Sequence, residues 1–242
     1  MENTYESYKN QLQKIAHINS AMMLLSWDQE VYMPKKGAAI RAQQFSTLST
    51  IAYELVTDKK FENLVDYLST KSSFGFKEIR NLQETKEGIV EGKKLSTDFI
   101  QRSAMARSEA FQAWQKARDF EDFSVYIPSL KSMVYLEKER AEMLGYEHHP
   151  YDALLNLYEK GLTVNKLEKV FTQVKNEIVP LVKQISERSQ VDDTFLKQSY
   201  DKKKQFDFSI ELLKLMNYDF DAGRQDISTH PFSINFNSND VR

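Results

Sequence analysis

The sequence predicts a mainly α-helical fold with a short β segment near its C-terminal end. Only 7 of the 242 residues are glycine and 5 are proline, too few for the many tight turns of an all-β domain. Apolar residues recur at three- and four-residue steps through most of the chain, the period of amphipathic helices. After Asp219 the pattern changes to alternation, which is typical of a half-buried strand. Because no low-complexity linker interrupts the chain, we expect residues 1–242 to form one helical region, with 219–242 as the strand-containing end.

The first three helices carry apolar stripes that are most simply core. The first ends before Met33-Pro34 and Gly37, the second begins at Ala38, and Thr57-Asp58 opens a shorter third helix. The stripe positions in chain order are Tyr5, Tyr8, Leu12, Ile15, Ile18, Met22 and Leu25, then Arg41, Phe45, Leu48, Ala52 and Leu55, then Phe61, Leu64, Val65 and Leu68.

The next three helices follow a polar loop at residues 69–76. The fourth is more polar and is interrupted by Gly88 and Gly92. Ser96-Thr97-Asp98 supplies N-caps for the fifth helix. Pro128 fits the first turn of the sixth helix, and Gly145 stands at its C-cap position.

Three more helices complete the helical part. A brief helix follows the loop 146–150 and closes at Gly161, after which Thr163 caps a long helix. Pro180 removes a backbone donor from that helix and should kink it. Asp201 caps the last helix, with Asn217 as a left-handed stop.

The terminal stretch reads as a strand with one apolar side. Phe232, Ile234 and Phe236 alternate with polar residues. The sequence given has no segment after Arg242 that could cover this strand. The strand would then be an exposed sheet edge, which proteins normally protect. We therefore expect the chain to be part of a larger protein.

Composition excludes several classes of function. The 33 basic and 35 acidic residues leave a net charge of -2, so no basic face for nucleic acid is expected. The sequence has no cysteine, which excludes disulfides, thiol nucleophiles and thiolate zinc sites. No apolar run approaches the ~20 residues that span a bilayer, and the N-terminus has no signal pattern, so we expect no membrane partner and a cytoplasmic location.

Histidine-based metal sites are also disfavoured. The four histidines, His17, His148, His149 and His230, have no pair at i, i+4 spacing, and no His-Glu-x-x-His occurs. We expect His17 to be a partly buried structural residue and His148-His149-Pro150 to be a turn before a helix. No Gly-x-Ser-x-Gly turn or glycine-rich phosphate loop is present, and Lys202-Lys203-Lys204 reads as a solvated helix face.

Ionisable residues gather around the terminal strand, namely Arg224, Asp226, His230, Asp240 and Arg242. A histidine can donate a hydrogen bond to a developing oxyanion, and an arginine can bind a carboxylate with two hydrogen bonds. Local pairing of Arg224 with Asp226, and solvated strand ends at Asp240 and Arg242, explain the same residues. The residues alone favour this second interpretation.

Three blocks of sequence resemble a known family. The first is Leu-Ser-Trp-Asp-Gln-Glu-Val-Tyr-Met-Pro at 25–34, with Gly-Ala-Ala at 37–39 and Arg41. The second is Gly-Tyr-Glu-His-His-Pro-Tyr-Asp-Ala-Leu-Leu at 145–155, with Tyr158-Glu159 and Gly161. The third runs from Gly223 through the His-Pro-Phe motif at 230–232 to Asp240-Val241-Arg242, the start of an Asp-x-Arg-x-Thr motif. Together they are similar to the carboxypeptidase Taq family of thermostable metallocarboxypeptidases.

The resemblance implies a cleft-bearing, zincin-like helical fold and a carboxypeptidase that releases C-terminal amino acids from peptides. In that family a His-Glu-x-x-His helix and a later glutamate hold zinc or another divalent metal such as cobalt, which activates water. This sequence lacks that helix. We therefore expect the chain to be the N-terminal half of the enzyme, and to be inactive and without a catalytic metal by itself.

Site residues carried over from the resemblance are the substrate-groove positions His230, Pro231, Phe232, Asp240 and Arg242. The resemblance implies that His230 contacts the scissile carbonyl or its oxyanion, and it implies no metal ligand in this chain. Arg242 either binds the substrate carboxylate or pairs with Asp240 to hold the strand.

The expected partners are a peptide with a free C-terminus, the C-terminal half of the enzyme, and a second copy in a homodimer or swapped dimer formed through exposed apolar stripes. The alternative hypothesis is a non-catalytic helical module that binds a peptide or a partner helix.

Overall fold

The computed structural model describes residues 4–242, and this part of the chain is mainly helical with a two-stranded sheet near its C-terminal end, as the sequence predicts. The helices within it are α1 (Tyr5–Val31), α2 (Ala38–Thr57), α3 (Lys59–Ser69), α4 (Phe76–Lys94), α5 (Thr97–Asp119), α6 (Ile127–Leu144), α7 (Pro150–Leu155), α8 (Val164–Ser186) and α9 (Lys202–Leu215). Short 3-10 helices lie at Lys35–Gly37, Phe123–Val125 and Thr194–Lys197. None of the helices in residues 4–242 has the length and apolar character to cross a membrane.

Local capping sets the helix boundaries that the sequence predicts. The side chains of Asp58, Ser96, Thr163 and Asp201 each accept a hydrogen bond from a backbone N–H in the first turn of α3, α5, α8 and α9. At the C-terminal ends, Gly145 has φ 78° and Asn217 has φ 58°. Helix α8 continues through Pro180, and the kink expected there stays a prediction.

The chain divides into two compact units. The first runs up to Tyr146 and adds Ile227–Ile234, and the second comprises Glu147–Asp226 and Asn235–Arg242. The expectation that residues 1–242 form a single helical region therefore stays a prediction.

In the first unit, α2 packs against α1 and α5, α5 also packs against α6, and α3 packs against α4. Its apolar core joins three helices through Tyr8 of α1, Phe61, Val65 and Leu68 of α3, and Leu82 and Ile89 of α4. Tyr8 is buried, yet its hydroxyl donates to the Asn81 carbonyl (3.1 Å) and lies 2.8 Å from the Thr85 hydroxyl. This aromatic ring therefore enters the core without leaving a polar atom unpaired.

The second unit ends in a β-hairpin. Strand β1 (Asn235–Asn237) pairs antiparallel with β2 (Asp240–Val241), and the Asn239 N–H donates to Asn237 Oδ1 (2.7 Å) in the turn. The expectation that the final strand has no partner in this chain is wrong, because the turn lets the last residues fold back onto it. The alternating burial predicted for 232–237 is observed, although only its last three residues form a strand.

Helix α8 exposes a continuous apolar face. None of its residues is buried, and the apolar side chains from Val170 onward are 45% to 61% exposed. We call these side chains the α8 apolar face: Val170, Phe171, Val174, Ile178, Val179, Leu181, Val182 and Ile185.

Candidate functional site

A cavity of about 540 Å³ in the first unit is lined in part by the His-Pro-Phe motif. We call it the His230 cavity. Helix α1 contributes Glu30 and α5 contributes Arg107, while His230–Phe232 form another part of the lining. The remaining lining side chains are largely aromatic or apolar and include Phe111, Trp114, Tyr126 and Met133. The cavity is therefore an apolar space with a carboxyl, a guanidinium and an imidazole group on its wall.

His230 is held at the cavity by contacts of its own segment with α5. Its exposed imidazole lies against the Trp114 indole, with ring centroids 6.4 Å apart. The Ser228 hydroxyl donates to the His230 carbonyl (2.7 Å), and Gln115 Nε2 donates to the Thr229 hydroxyl (3.5 Å). The imidazole is thus positioned but open to a ligand.

Glu30 lies in the last turn of α1 and is only partly exposed. Burial raises the pKa of its carboxyl group, because the ionised form loses water, and the nearby His230 charge opposes part of this rise. The sequence did not single out Glu30. The signal available was its place in the Trp-Asp-Gln-Glu block, and helical periodicity alone does not distinguish a cavity glutamate from a surface one.

Arg107 on α5 was also not identified from the sequence. Its guanidinium lies 3.6 Å from the Glu137 carboxylate of α6 and stays more than half exposed. Guanidinium and imidazole groups can bind a carboxylate or polarise a carbonyl, and the aromatic wall can accept an apolar side chain. The His230 cavity thus has the chemical groups that a peptide end requires.

The residues preceding Glu30 fasten α1 to its neighbours. Asp28 pairs with Arg41 of α2 (2.6 Å), and buried Gln29 accepts a hydrogen bond from Ser108 of α5 (3.0 Å). Trp27 is 8% exposed. These contacts fix the last turn of α1 and therefore the direction in which Glu30 leaves it.

The other predicted site residues lie in the second unit. Arg242 pairs with Asp240 through two contacts (2.9 and 3.3 Å), and its guanidinium carbon lies 5.6 Å from the Phe236 ring centroid. Arg224 pairs with Asp226 at 2.7 and 2.8 Å, which confirms the local pairing predicted for these two residues. The structure therefore groups His230, Pro231 and Phe232 in one unit and the remaining ionisable residues in the other.

The remaining histidines have other surroundings. His17 is exposed on α1, so the expectation of partial burial is wrong, because this position lies outside the packed stripe of the helix. His149 accepts the Tyr151 N–H at 3.0 Å as the N-cap of α7, which confirms the turn predicted there. Within residues 4–242, no three or more His, Cys, Asp or Glu side chains are grouped so that they could hold a metal ion.

Comparisons with known proteins agree on one family. A family model described as carboxypeptidase Taq (M32) metallopeptidase matches residues 7–242. Carboxypeptidase 1 of Bacillus subtilis is 34% identical over 242 residues, which cover 99% of this chain and 48% of that protein. Thermostable carboxypeptidase 1 of Pyrococcus furiosus is also 34% identical, over 95% of this chain and 46% of its own length.

Solved structures give the same result. The BsuCP crystal structure has a TM-score of 0.94 and 33% identity, over 98% of this chain and 48% of its own. A Pyrococcus furiosus carboxypeptidase structure has a TM-score of 0.81 and 30% identity, over 100% of this chain and 49% of its own. The chain spans about half the length of the curated relatives it matches.

Proposed function

The chain belongs to the carboxypeptidase Taq (M32) family of metallopeptidases, and from this membership we propose that it is the N-terminal part of a metal-dependent carboxypeptidase. The complete enzyme would release C-terminal amino acids from peptides that have a free C-terminus. The observation that carries the proposal for this chain is the His230 cavity, where the His-Pro-Phe motif meets Glu30 and Arg107.

His230 is proposed to donate a hydrogen bond to the scissile carbonyl or its oxyanion. Its exposure and its contact with Trp114 support this role, because the imidazole is oriented while remaining accessible. Pro231 and Phe232 extend the same wall and are proposed to contact the peptide.

Replacing His230 tests this role. In the complete enzyme, His230→Ala should lower kcat by roughly ten- to a thousandfold, the effect of losing an oxyanion-type donor. The control is His17→Ala, which removes an exposed histidine outside the cavity. The rates are measured from the release of C-terminal amino acids from a peptide that is blocked at its N-terminus. An unchanged kcat in folded His230→Ala enzyme would contradict the proposal.

Asp240 and Arg242 are proposed to maintain the hairpin at the substrate groove. Their ion pair and the position of Arg242 beside Phe236 support the strand-holding role over direct binding of the substrate carboxylate. Arg242→Lys keeps the charge but loses the two-pronged pair. A rise in KM with an intact fold would instead favour carboxylate binding.

The metal is proposed to be bound by residues that follow Arg242 in the complete enzyme. The described residues do not by themselves fit a metal centre, since no cluster of three or more His, Cys, Asp or Glu side chains that could hold a metal ion is found in 4–242. The roles proposed for this chain are therefore confined to binding and orienting the peptide.

Zinc or cobalt is proposed as the metal, which would activate water when bound. The 242-residue chain alone should show neither one bound metal per chain nor chelator-sensitive peptidase activity.

The α8 apolar face supports a polypeptide partner. A helix that leaves its apolar side chains half exposed normally packs against another element. This chain covers only about half the length of its relatives. We therefore propose that the remaining half of the enzyme covers this face. Homodimer formation and a cytoplasmic location are proposed as well, and light scattering and cell fractionation test them.

A further inference from the structure

Glu30 is an unusual carboxylate because it is half-buried without a direct partner. Its side chain makes no hydrogen bond or ion pair with any residue of the described range 4–242, although α1 carries it to the cavity wall. Burying a carboxylate without a partner costs free energy, and this cost is what raises the pKa of Glu30. Such a group is retained at a cost to stability, which is common where a residue has a functional task.

The charged group that acts on Glu30 is His230. The imidazolium charge favours the ionised carboxylate, and both side chains line the same cavity, one from α1 and one from the segment after Asp226. A carboxylate beside an imidazole can accept one of its N–H groups. That contact selects the tautomer and the orientation of the ring, and it leaves the other ring nitrogen pointing away from the carboxylate.

We propose that Glu30 is a positioning residue for His230: when a peptide occupies the cavity, the Glu30 carboxylate accepts one imidazole N–H, a hydrogen bond that the two groups do not make in this structure, so that the other N–H points to the peptide carbonyl. This inference rests on the proposed contact of His230 with the scissile carbonyl. Glu30 itself does not touch the reacting atoms. In the Ser-His-Asp triad, the aspartate accepts a hydrogen bond from the histidine and orients its ring in a comparable way.

The two arginines near the pair have partners of their own. Arg107 faces the cavity from α5 but pairs with Glu137, and Arg118 lies over the Trp114 ring with 5.6 Å between the guanidinium carbon and the centroid. Tyr126, before α6, is the remaining titratable side chain on the lining. Glu30 is therefore the anion available to the imidazole on this wall.

A double-mutant cycle in the complete enzyme tests the positioning role. Glu30→Gln should lower kcat by about ten- to a hundredfold with KM little changed, by analogy with the loss seen when the hydrogen-bond partner of a metal-bound histidine is removed. The same substitution in the His230→Ala background should cost nothing further, because the residue acts through the imidazole. Glu6→Gln on the same helix, an exposed glutamate paired with Lys9 at 2.6 Å, is the matched control.

The outcomes separate this inference from the proposed function. Equal losses from Glu30→Gln in both backgrounds would overturn the positioning role, and so would no loss in the wild-type background. An unaffected His230→Ala enzyme would instead contradict the role proposed for His230.

A second measurement needs no activity. Carbon-13 NMR of glutamate carboxyls in the 242-residue chain should give Glu30 a raised pKa that rises further in His230→Ala but not in His17→Ala. A Glu30 titration unchanged by the loss of His230 would overturn the pair.

Discussion

At the scale of single residues, the Glu30 carboxyl makes the stability of the first unit depend on pH. Its pKa is higher in the folded chain than in the unfolded one, because burial disfavours the ionised form. Between the two values the folded state binds more protons, so the free energy of unfolding falls as pH rises through that window. The loss is complete above the folded pKa.

Glu30→Gln removes this penalty and should therefore make the chain more stable at pH 7. The gain should disappear below the ordinary glutamate pKa of about 4.3, where both forms of the residue are neutral. Urea unfolding of wild type and variant at pH 3.5 and 7 measures it, with Glu6→Gln as control. A gain of the same size at both pH values would show that ionisation is not the cause. Together with the expected loss of kcat, this outcome would make Glu30 a site where function lowers stability.

The sequence identified part of the candidate site at this scale. His230 was found because three adjacent residues form a recognisable motif. Glu30 and Arg107 were not found, since their roles depend on α1 and α5 packing so that both reach one cavity. Periodicity predicts which face of a helix is buried but not which side chains of another helix it meets.

At the scale of elements, a glycine joins the loop after α9 to the C-terminal hairpin. Around Gly223, the Arg224 N–H donates to the Val241 carbonyl and the Val241 N–H donates to the Ala222 carbonyl, both at 3.0 Å. A Cβ at Gly223 would overlap the Tyr218 hydroxyl oxygen and would lie 2.6 Å from the ring carbon that bears it. The Tyr218 ring also packs edge-on against Phe220, with centroids 5.0 Å apart, so it must move as a whole.

Gly223→Ala should therefore lower the free energy of unfolding by about 1–3 kcal/mol, the usual cost of overpacking. Hydrogen exchange at the Arg224 and Val241 amides should accelerate. Gly88→Ala is the control with the opposite sign: it lies inside α4 with no atom within 4 Å of the added methyl. That change should stabilise the chain by about 0.5–1 kcal/mol. Unchanged amide exchange in Gly223→Ala would mean that Tyr218 moves without cost.

Helix limits were predictable because capping is local, as at Ser96 and Thr163, where the cap and its partner are three residues apart. The hairpin was not predicted. Alternation tells which side of Phe236 is buried, whereas strand pairing depends on the Ser238-Asn239 turn and on a few residues after it. Short strands with polar turns leave a weak signal in sequence.

At the scale of the whole molecule, the α8 apolar face predicts self-association of the 242-residue chain when no other polypeptide covers it. Ile178→Lys places a charge in the middle of this face and should shift the chain toward monomer. Glu168→Gln changes the net charge by the same amount on the same helix and should leave association unchanged. Light scattering across a concentration series gives the mass. A monomeric wild type at every concentration would contradict the prediction.

The division of the chain into units also determines the order in which the cavity can be built. Ile227–Ile234 belongs to the first unit, although the ribosome makes α7, α8 and α9 before it reaches them. Synthesis adds roughly 5–20 residues each second, so Glu30, Arg107 and Trp114 leave the exit tunnel well ahead of His230. A nascent chain halted before Ile227 would hold the Glu30 carboxylate with no imidazole beside it. Translation therefore completes this cavity late, when the growing chain returns to a unit that has already emerged.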